Sequence, residues 1–326
     1  MIPTWPEVMT KIPRLDAQDW SAMGLAKRWF VATRAAVFVM TLFSAGIGML
    51  LAIPAGHFDV INAVLVCFGL ILAHATNNLL NDWTDSKKGV DKDNYFRTQY
   101  GPQPLENGLL SARQMMGYIA VTGALALAVG ALLVFRTDIV TLYFMLAGAF
   151  FVVFYTWPLK YIGLGEPAVW LVWGPLMVLG SAYVVSAELT ALQLWVALVY
   201  GIGPTSVLLG KHTDKLEQDK AKGVHTLPVM LGESGSRRLT LVLWVMQYLV
   251  LTLGVVFGVL SVWYLLVWLA LPRLIKTVKR FRQPRPTERP HDVPADVWPL
   301  YLVAYAFDYN KLFSGTLVLA MLLSLV

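Results

Sequence analysis

The chain has 326 residues, of which 57% are hydrophobic and 14% charged, and a mean hydropathy of +0.61, which excludes a soluble globular domain of ordinary composition. It carries a formal net charge of +6 and a single cysteine, Cys67, so an intrachain disulfide and a multi-cysteine metal site are both excluded. These bounds define an integral membrane protein.

Residues 1–30 are mixed, with Trp5, Trp20 and Trp29 among charges, and show no cleavable-signal pattern. They read as an interfacial amphipathic segment leading into a single membrane domain over 31–326. Uncharged runs follow at 35–56, 60–81, 114–135, 139–159, 167–187 and 189–210, each long enough for one helical span of roughly 20 residues. The run 239–272 is too long for one helix and predicts two short spans turning near Gly254–Gly258. Residues 312–326 predict a further span whose helix starts near Tyr309, with Lys311 snorkelling to the interface. The expected fold is therefore an all-α membrane bundle of about nine transmembrane helices.

Basic residues set its orientation. Lys and Arg gather before the first span, in the connections 82–113 and 211–238, and between Arg273 and Arg289, whereas the opposite face holds only Arg136. By the bias of positive charge toward the cytoplasm, the N-terminus is expected inside. The positive charge thus reads as membrane orientation, with no nucleic-acid partner. The segment 280–299 is rich in Pro and Arg and predicts an interfacial loop.

Chemistry is concentrated in two acidic segments on the expected cytoplasmic side. The first, NDWTDSKKGVD, places Asn81, Asp82, Asp85 and Asp91 around Lys87, Lys88 and Gly89. Hard oxygen ligands interleaved with ammonium groups suit Mg²⁺, which takes one or two carboxylates and fills its shell with water and phosphate oxygens. Charge spacing alone fits a solvated loop equally well. Asn77, Asn78 and Asn81 favour a site, because three amides at membrane depth need polar partners. The second segment offers Asp214, Glu217 and Asp219 among Lys211, Lys215, Lys220 and Lys222. Two such segments on one face predict a clamp in which bound metal ions bridge a diphosphate. Single histidines carry less: His74 reads as hydrogen-bonded to a neighbouring helix, and His212 and His225 as solvated loop residues. Glu166 reads either as an acceptor contact or as a helix N-terminal charge.

NDWTDSKKGVD, together with DKLEQDKAKGVHTLPVMLG, resembles the two Asp-rich motifs of the UbiA superfamily of intramembrane prenyltransferases. The stretch YTWPLKYIGLGEPAVWLVWGPLMVLGSAYV at 155–184 resembles the branch that includes 1,4-dihydroxy-2-naphthoate polyprenyltransferases of menaquinone synthesis. RTQYGPQPLENGLLS at 97–111 resembles the superfamily's loop after its first motif. The likeness covers about residues 30–325. Asn81, Asp85 and Asp91 match the first motif. In the second, Asp219 fits the later acid while Lys215 stands where relatives carry the earlier one, leaving Asp214 or Glu217 to supply that ligand.

The resemblance implies Mg²⁺-dependent transfer of a polyprenyl group from an allylic diphosphate to a lipid-soluble aromatic acceptor, inside the membrane and facing the cytoplasm. It implies catalytic roles for Asp85, Asp219 and Asn81, and metal binding by Asp82, Asp85, Asp91, Asp214, Glu217 and Asp219. Substrate contacts are implied for Asn78, Asn81, Lys88, Arg97, Tyr155, Lys160 and Lys215. Physical chemistry adds that such a site must exclude water from an allylic cation and present aromatic faces to it. Three alternatives remain open at this level: the same chemistry on another acceptor (4-hydroxybenzoate, a lipid or a porphyrin), a non-catalytic isoprenoid or quinone binder, and a secondary transporter. Against the transporter, the acids sit at one membrane face and not at midplane.

Overall fold

The computed structural model describes residues 2–13, 15–92, 102–293, 295 and 298–325. Among these there is no strand, only an isolated parallel bridge between Ile162 and His225. Three short helices open the chain: α1 (Trp5–Thr10), α2 (Ala17–Ala22) and α3 (Leu25–Ala32). They do not stand apart from the bundle. Val8, Trp20, Met23 and Val31 pack with Leu79, Leu109, Leu110, Met115 and Ile119 into one apolar cluster at one end of the molecule.

The long helices follow as α4 (Phe38–Ala52), α5 (Val60–Lys87), α6 (Ala112–Arg136), α7 (Ile139–Phe154), α8 (Gly165–Leu171), α9 (Met177–Ser186), α10 (Ala191–Asp214) and, after the short α11 (Leu216–Ala221), α12 (Leu227–Val256). α13 (Leu271–Arg282) and α14 (Tyr301–Ser324) complete the set. Among the described residues, six segments are long and apolar enough to cross a membrane, namely Ala35–Ala55, Val60–Lys87, Ala112–Arg136, Gly165–Ser186, Ala191–Asp214 and Leu227–Val256; Ile139–Phe154 is a shorter apolar helix.

Local chemistry places the helix starts. Asp59 accepts from Asn62 N at the head of α5, Asp138 accepts from Val140 N and Thr141 N at the head of α7, and Ser111–Gln114 and Thr190–Gln193 form capping boxes on α6 and α10. The helices α8 and α9 form one span interrupted by a π segment, Val172–Leu176, at Pro175, whose ring nitrogen cannot donate. This segment meets α10 backbone to backbone. A Cβ on Gly174 would lie 2.6 Å from Ala197 O, and one on Gly201 2.7 Å from Trp170 O, so only glycine permits the crossing.

Element bounds differ from the sequence expectation at three places. α5 does not stop at residue 81 but continues to Lys87, ending before Gly89 at φ +67, so Asn81 and Asp85, four apart, share a helix as their spacing predicts, and Asp82 rides on it with them. Nothing in 82–87 breaks a helix, and Asp82 and Asp85 find cationic partners that permit their burial. The run 239–272 does divide, but the turn lies at 257–261, and the second piece is a 3₁₀ stretch, Val262–Ala270, that runs into the basic α13. The last helix starts at Tyr301, earlier than the expected Tyr309, because its first turn packs Tyr301, Leu302 and Tyr305 into the main core.

That core belongs to the second half of the chain, where Trp244, Tyr200, Tyr309, Phe281 and Phe313 are fully buried between α10, α12, α13 and α14. The first half is packed differently. α5, α6, α7 and the α8–α9 span surround an apolar cavity of about 630 Å³.

Candidate active site

At its polar end the cavity is lined by His74, Asn77, Leu80, Tyr155, Ala168, Val169 and Trp173. The last two turns of α5 begin there. Its amides fasten the surroundings: Asn77 Nδ2 donates to Val152 O at 3.0 Å, Asn78 Nδ2 to Thr33 O at 2.8 Å and Asn81 Nδ2 to Thr156 Oγ1 at 3.2 Å. Each therefore has a protein partner on another element, as burial demands.

Asp85 is buried and receives Lys160 Nζ at 2.7 Å on both carboxylate oxygens, with Tyr161 Oη donating at 3.4 Å. Burial, and then the charge of Asp85 and its hydrogen bond, hold the Tyr161 phenol well above its usual value, so it stays a neutral donor. Asp82, one turn earlier, pairs with Arg34. Arg34 occupies the left-handed region at φ 58, which is uncommon for a residue with a side chain and marks a constrained backbone. The Asn78 bond to the preceding Thr33 carbonyl helps fix it. Lys88 lies over two rings, 5.0 Å from Trp157 and 5.0 Å from Tyr161. Asp91 is buried, and its carbonyl accepts from Gln103 Nε2 at 3.4 Å. Arg97 lies outside the described residues.

The second acidic segment approaches the same end. Lys222 Nζ donates to Gly89 O at 3.1 Å and Lys92 O at 2.9 Å, tying it to the turn after α5. Lys215 and Asp219 form an ion pair at 2.9 Å across one helical turn. The other Asp219 oxygen, Oδ2, is buried with no hydrogen-bond partner among the described residues. Tyr155 stands in the cavity wall, and its carbonyl accepts from the backbone N of Lys160, the residue that pairs with Asp85.

Two further acids of that segment stand elsewhere. Asp214 accepts from Val303 N at 3.0 Å in the first turn of α14, with Arg285 donating to its carbonyl at 2.9 Å. Glu217 is exposed. His212 overturns the expectation of a solvated loop residue: it is buried, and its Nδ1 lies 2.6 Å from Glu166 Oε1, while Glu166 Oε2 also accepts from Leu227 N at 3.4 Å. α10 runs to Asp214 and carries His212 inward with it. His225 is exposed, as expected of a loop residue, and His74 bonds Thr41 on α4 at 2.7 Å. Arg34 and the pairing of His212 with Glu166 were missed, although Glu166 itself stands in the first turn of α8, as one of its two readings has it. A lone arginine at the edge of a long uncharged run was the available signal for Arg34; nothing local links residues 166 and 212.

Among the described residues, no three His, Cys, Asp or Glu side chains converge into a metal cage. The donor set still fits Mg²⁺. This ion takes one or two carboxylates and leaves its remaining positions to water and phosphate. A buried carboxylate oxygen without a donor, such as Asp219 Oδ2, is costly unless a cation or donor meets it.

An all-helical bundle with membrane-long apolar helices, an apolar cavity and a buried Lys160–Asp85 pair on the segments that continue two of its walls is the class of protein that the fold and site define. Residues 38–292 match the UbiA prenyltransferase family, so the chain belongs to that family and is a prenyltransferase. It is 29% identical over 262 residues to the 1,4-dihydroxy-2-naphthoate octaprenyltransferase of Escherichia coli K12, covering 77% of this chain and 83% of that one. The fold is similar to the apo structure of a UbiA homolog from Aeropyrum pernix K1, with a TM-score of 0.65 at 18% identity over 88% of this chain and 98% of that one. It is also similar to a UbiA homolog from Archaeoglobus fulgidus bound to GPP and Mg²⁺, with a TM-score of 0.62 at 16% identity over 90% and 99%.

Proposed function

We propose that this protein transfers a polyprenyl group from an allylic diphosphate to a lipid-soluble aromatic acceptor, with Mg²⁺, in the synthesis of a menaquinone-type quinone. The observation that carries this reading is the convergence of two acidic segments on the polar end of one apolar cavity, joined by Lys222 on the carbonyls of Gly89 and Lys92. The similarity to the E. coli naphthoate enzyme supports the acceptor class.

In this reading Asp85, Asp91 and Asp219 would hold Mg²⁺, and the chemistry it would supply is neutralisation of negative charge on the diphosphate. Lys160, Lys215, Lys88 and Arg34 bind the diphosphate oxygens, and Asn81 orients them. The ammonium groups that neutralise Asp85 and Asp219 are thereby positioned to turn toward phosphate when the acids take the cation. The donor's tail lies in the cavity, where apolar walls exclude water from the allylic carbon while its bond to oxygen breaks. The rings of Tyr155 and Trp173 face the positive charge that develops there. The acceptor's ring carbon then bonds to that carbon and loses the group it carried, a proton or a carboxylate as CO₂, to restore the aromatic ring, while the diphosphate departs toward the polar end. Asp82 serves Arg34, and Asp214 serves the start of α14, instead of a metal. Glu217 is left to solvent.

The same reading gives nine spans, counting Ile139–Phe154, the segment from Val262 into α13, and α14 beside the six long apolar helices. The distribution of Lys and Arg favours a cytoplasmic N-terminus and active site, and the reading places the protein in a prokaryotic cytoplasmic membrane. The test is diphosphate release by purified protein with Mg²⁺, an allylic diphosphate and a panel of acceptors including 1,4-dihydroxy-2-naphthoate. Acceptor-dependent release lost in Asp85→Asn and Asp219→Asn is the expected result; binding without release across the panel would favour a non-catalytic isoprenoid binder.

A further inference from the structure

One deeply buried acid has no part in the proposed transfer. Glu166 is 1% exposed and its partner His212 2%, and neither lines the apolar cavity, although Ala168 and Val169 just beyond Glu166 do. A carboxyl group sealed from water in this way persists only where protein groups bond it. Both of its oxygens are engaged: Oε1 lies 2.6 Å from His212 Nδ1, and Oε2 accepts from Leu227 N at 3.4 Å.

The two partners come from different helices and bracket the second acidic segment. His212 lies in the last turn of α10, just before Lys215 and Asp219, and Leu227 opens α12 just after Lys222. Thr226, at the N-cap of α12, makes no capping bond through its side chain, and its Oγ1 is buried without a partner among the described residues. Glu166 supplies that cap from another element, where a carboxylate suits the positive end of the helix.

The chain before Glu166 leads to the first motif. Thr156 Oγ1 accepts from Asn81 Nδ2, and Lys160 reaches Asp85. From Lys160 to Glu166 the backbone turns tightly: Leu164 N donates to Leu159 O at 2.9 Å, and a Cβ on Gly165 would lie 3.3 Å from Lys160 Cα. Ile162 adds a backbone bridge to His225, at the far end of the second segment. One short stretch therefore holds the first motif through Thr156 and Lys160 and the second through Ile162 and Glu166.

We infer that Glu166 is a positioning residue: by holding His212 and Leu227 N together, it fixes where Lys215 and Asp219 stand relative to Asp85 and Lys160. What the two motifs bind rests on the transferase reading. A diphosphate and a cation shared between motifs respond to small displacements of either one, and partners that orient ligands without touching the ion are worth about 10–100-fold in metal affinity or activity. The role is one of shape. In Glu166→Gln the amide oxygen accepts from Leu227 N while the amide N–H donates to His212 Nδ1, with the imidazole proton on Nε2; His212→Asn keeps a donor in the place of Nδ1.

The experiment measures, on the detergent-purified full chain, melting temperature and the Mg²⁺ concentration that half-saturates binding of geranyl diphosphate, followed by kcat and KM with an aromatic acceptor. Glu166→Ala and His212→Ala are expected to raise that Mg²⁺ concentration about tenfold and to lower kcat by about as much, with KM for the acceptor unchanged. Glu166→Gln and His212→Asn should restore most of both. Asp138→Ala, which removes the α7 cap and the Tyr183 bond, weakens the fold away from both motifs and should leave the Mg²⁺ requirement as in wild type. If Glu166→Ala does not fold, His212→Ala, which spares the Leu227 bond, carries the test. A Mg²⁺ requirement equal to wild type in the folded alanine variants would overturn the positioning role. So would Glu166→Gln as impaired as Glu166→Ala, which would make charge the operative property, or a rise in acceptor KM alone, which would make Glu166 an acceptor contact. Diphosphate binding that shifts as expected, without product from any acceptor, leaves the positioning role standing and removes the transferase reading; product from wild type with an unshifted Mg²⁺ requirement in the variants does the reverse.

Discussion

Lys160 and Asp85, 75 residues apart in the chain, form a buried ion pair in which one ammonium group reaches both carboxylate oxygens at 2.7 Å. Removing one partner of such a pair leaves an uncompensated charge, at a cost of about 3–5 kcal/mol. Lys160→Met is expected to lower the melting temperature sharply and to reduce kcat about 10²-fold, the scale of losing one electrostatic contact to a developing charge. Adding Asp85→Asn should restore most of the stability and none of the activity, which thermal unfolding and turnover of the single and double variants will check.

The second motif makes a different demand. Lys215 holds Asp219 at 2.9 Å and so competes with any divalent cation for that carboxylate. Lys215→Met is expected to lower the Mg²⁺ concentration giving half-maximal activity several-fold while raising KM for the diphosphate. A titration in which the Mg²⁺ requirement stays fixed would show that Asp219 does not hold the metal.

Asp214 separates a capping role from a catalytic one. Its Oδ2 accepts from Val303 N in the first turn of α14. Asp214→Asn keeps an acceptor oxygen and should leave stability and turnover nearly unchanged, whereas Asp214→Ala should cost about 1 kcal/mol, as for a lost helix cap. A drop in turnover of folded Asp214→Asn by two orders of magnitude would return Asp214 to the metal site.

Asp292 supplies a pH test away from the spans. Partial burial raises its carboxyl, but hydrogen bonds from Lys276 and Tyr305 and the charges of Lys276 and Arg280 outweigh it and hold the group at about 2, below the usual 3.8. A depressed carboxylate contributes stability that is full above its unfolded value and is lost as pH falls through the folded one. Asp292→Asn should therefore melt below wild type at neutral pH, with the difference shrinking between pH ~4 and ~2. A difference independent of pH would assign the effect to packing.

Hydropathy and charge made the bundle readable, because a lipid environment forces backbone polar groups to pair within helices and charged groups to the edges. The run 60–81 announced α5, and the motif residues Asn81, Asp85 and Asp91 stood out by residue type and spacing. Helix ends were less legible. The continuation of α5 to Lys87 depends on Arg34 and Lys160, which neutralise Asp82 and Asp85 from distant parts of the chain. Likewise, α14 reaches back to Tyr301 because its first turn finds both core contacts and the Asp214 cap.

By itself the sequence determined a helical membrane protein with two acid-rich segments and a prenyltransferase likeness, since composition, periodicity and motif are properties of neighbouring residues. Only the tertiary structure decided what each of these side chains meets: Asp219 meets Lys215, Asp214 the head of α14, and His212 turns inward to Glu166. It alone gave the lengths and spacings of the cavity walls. Those are distances between helices far apart in the chain, and they are set by packing, where one glycine against a carbonyl or one ion pair fixes what local sequence leaves free.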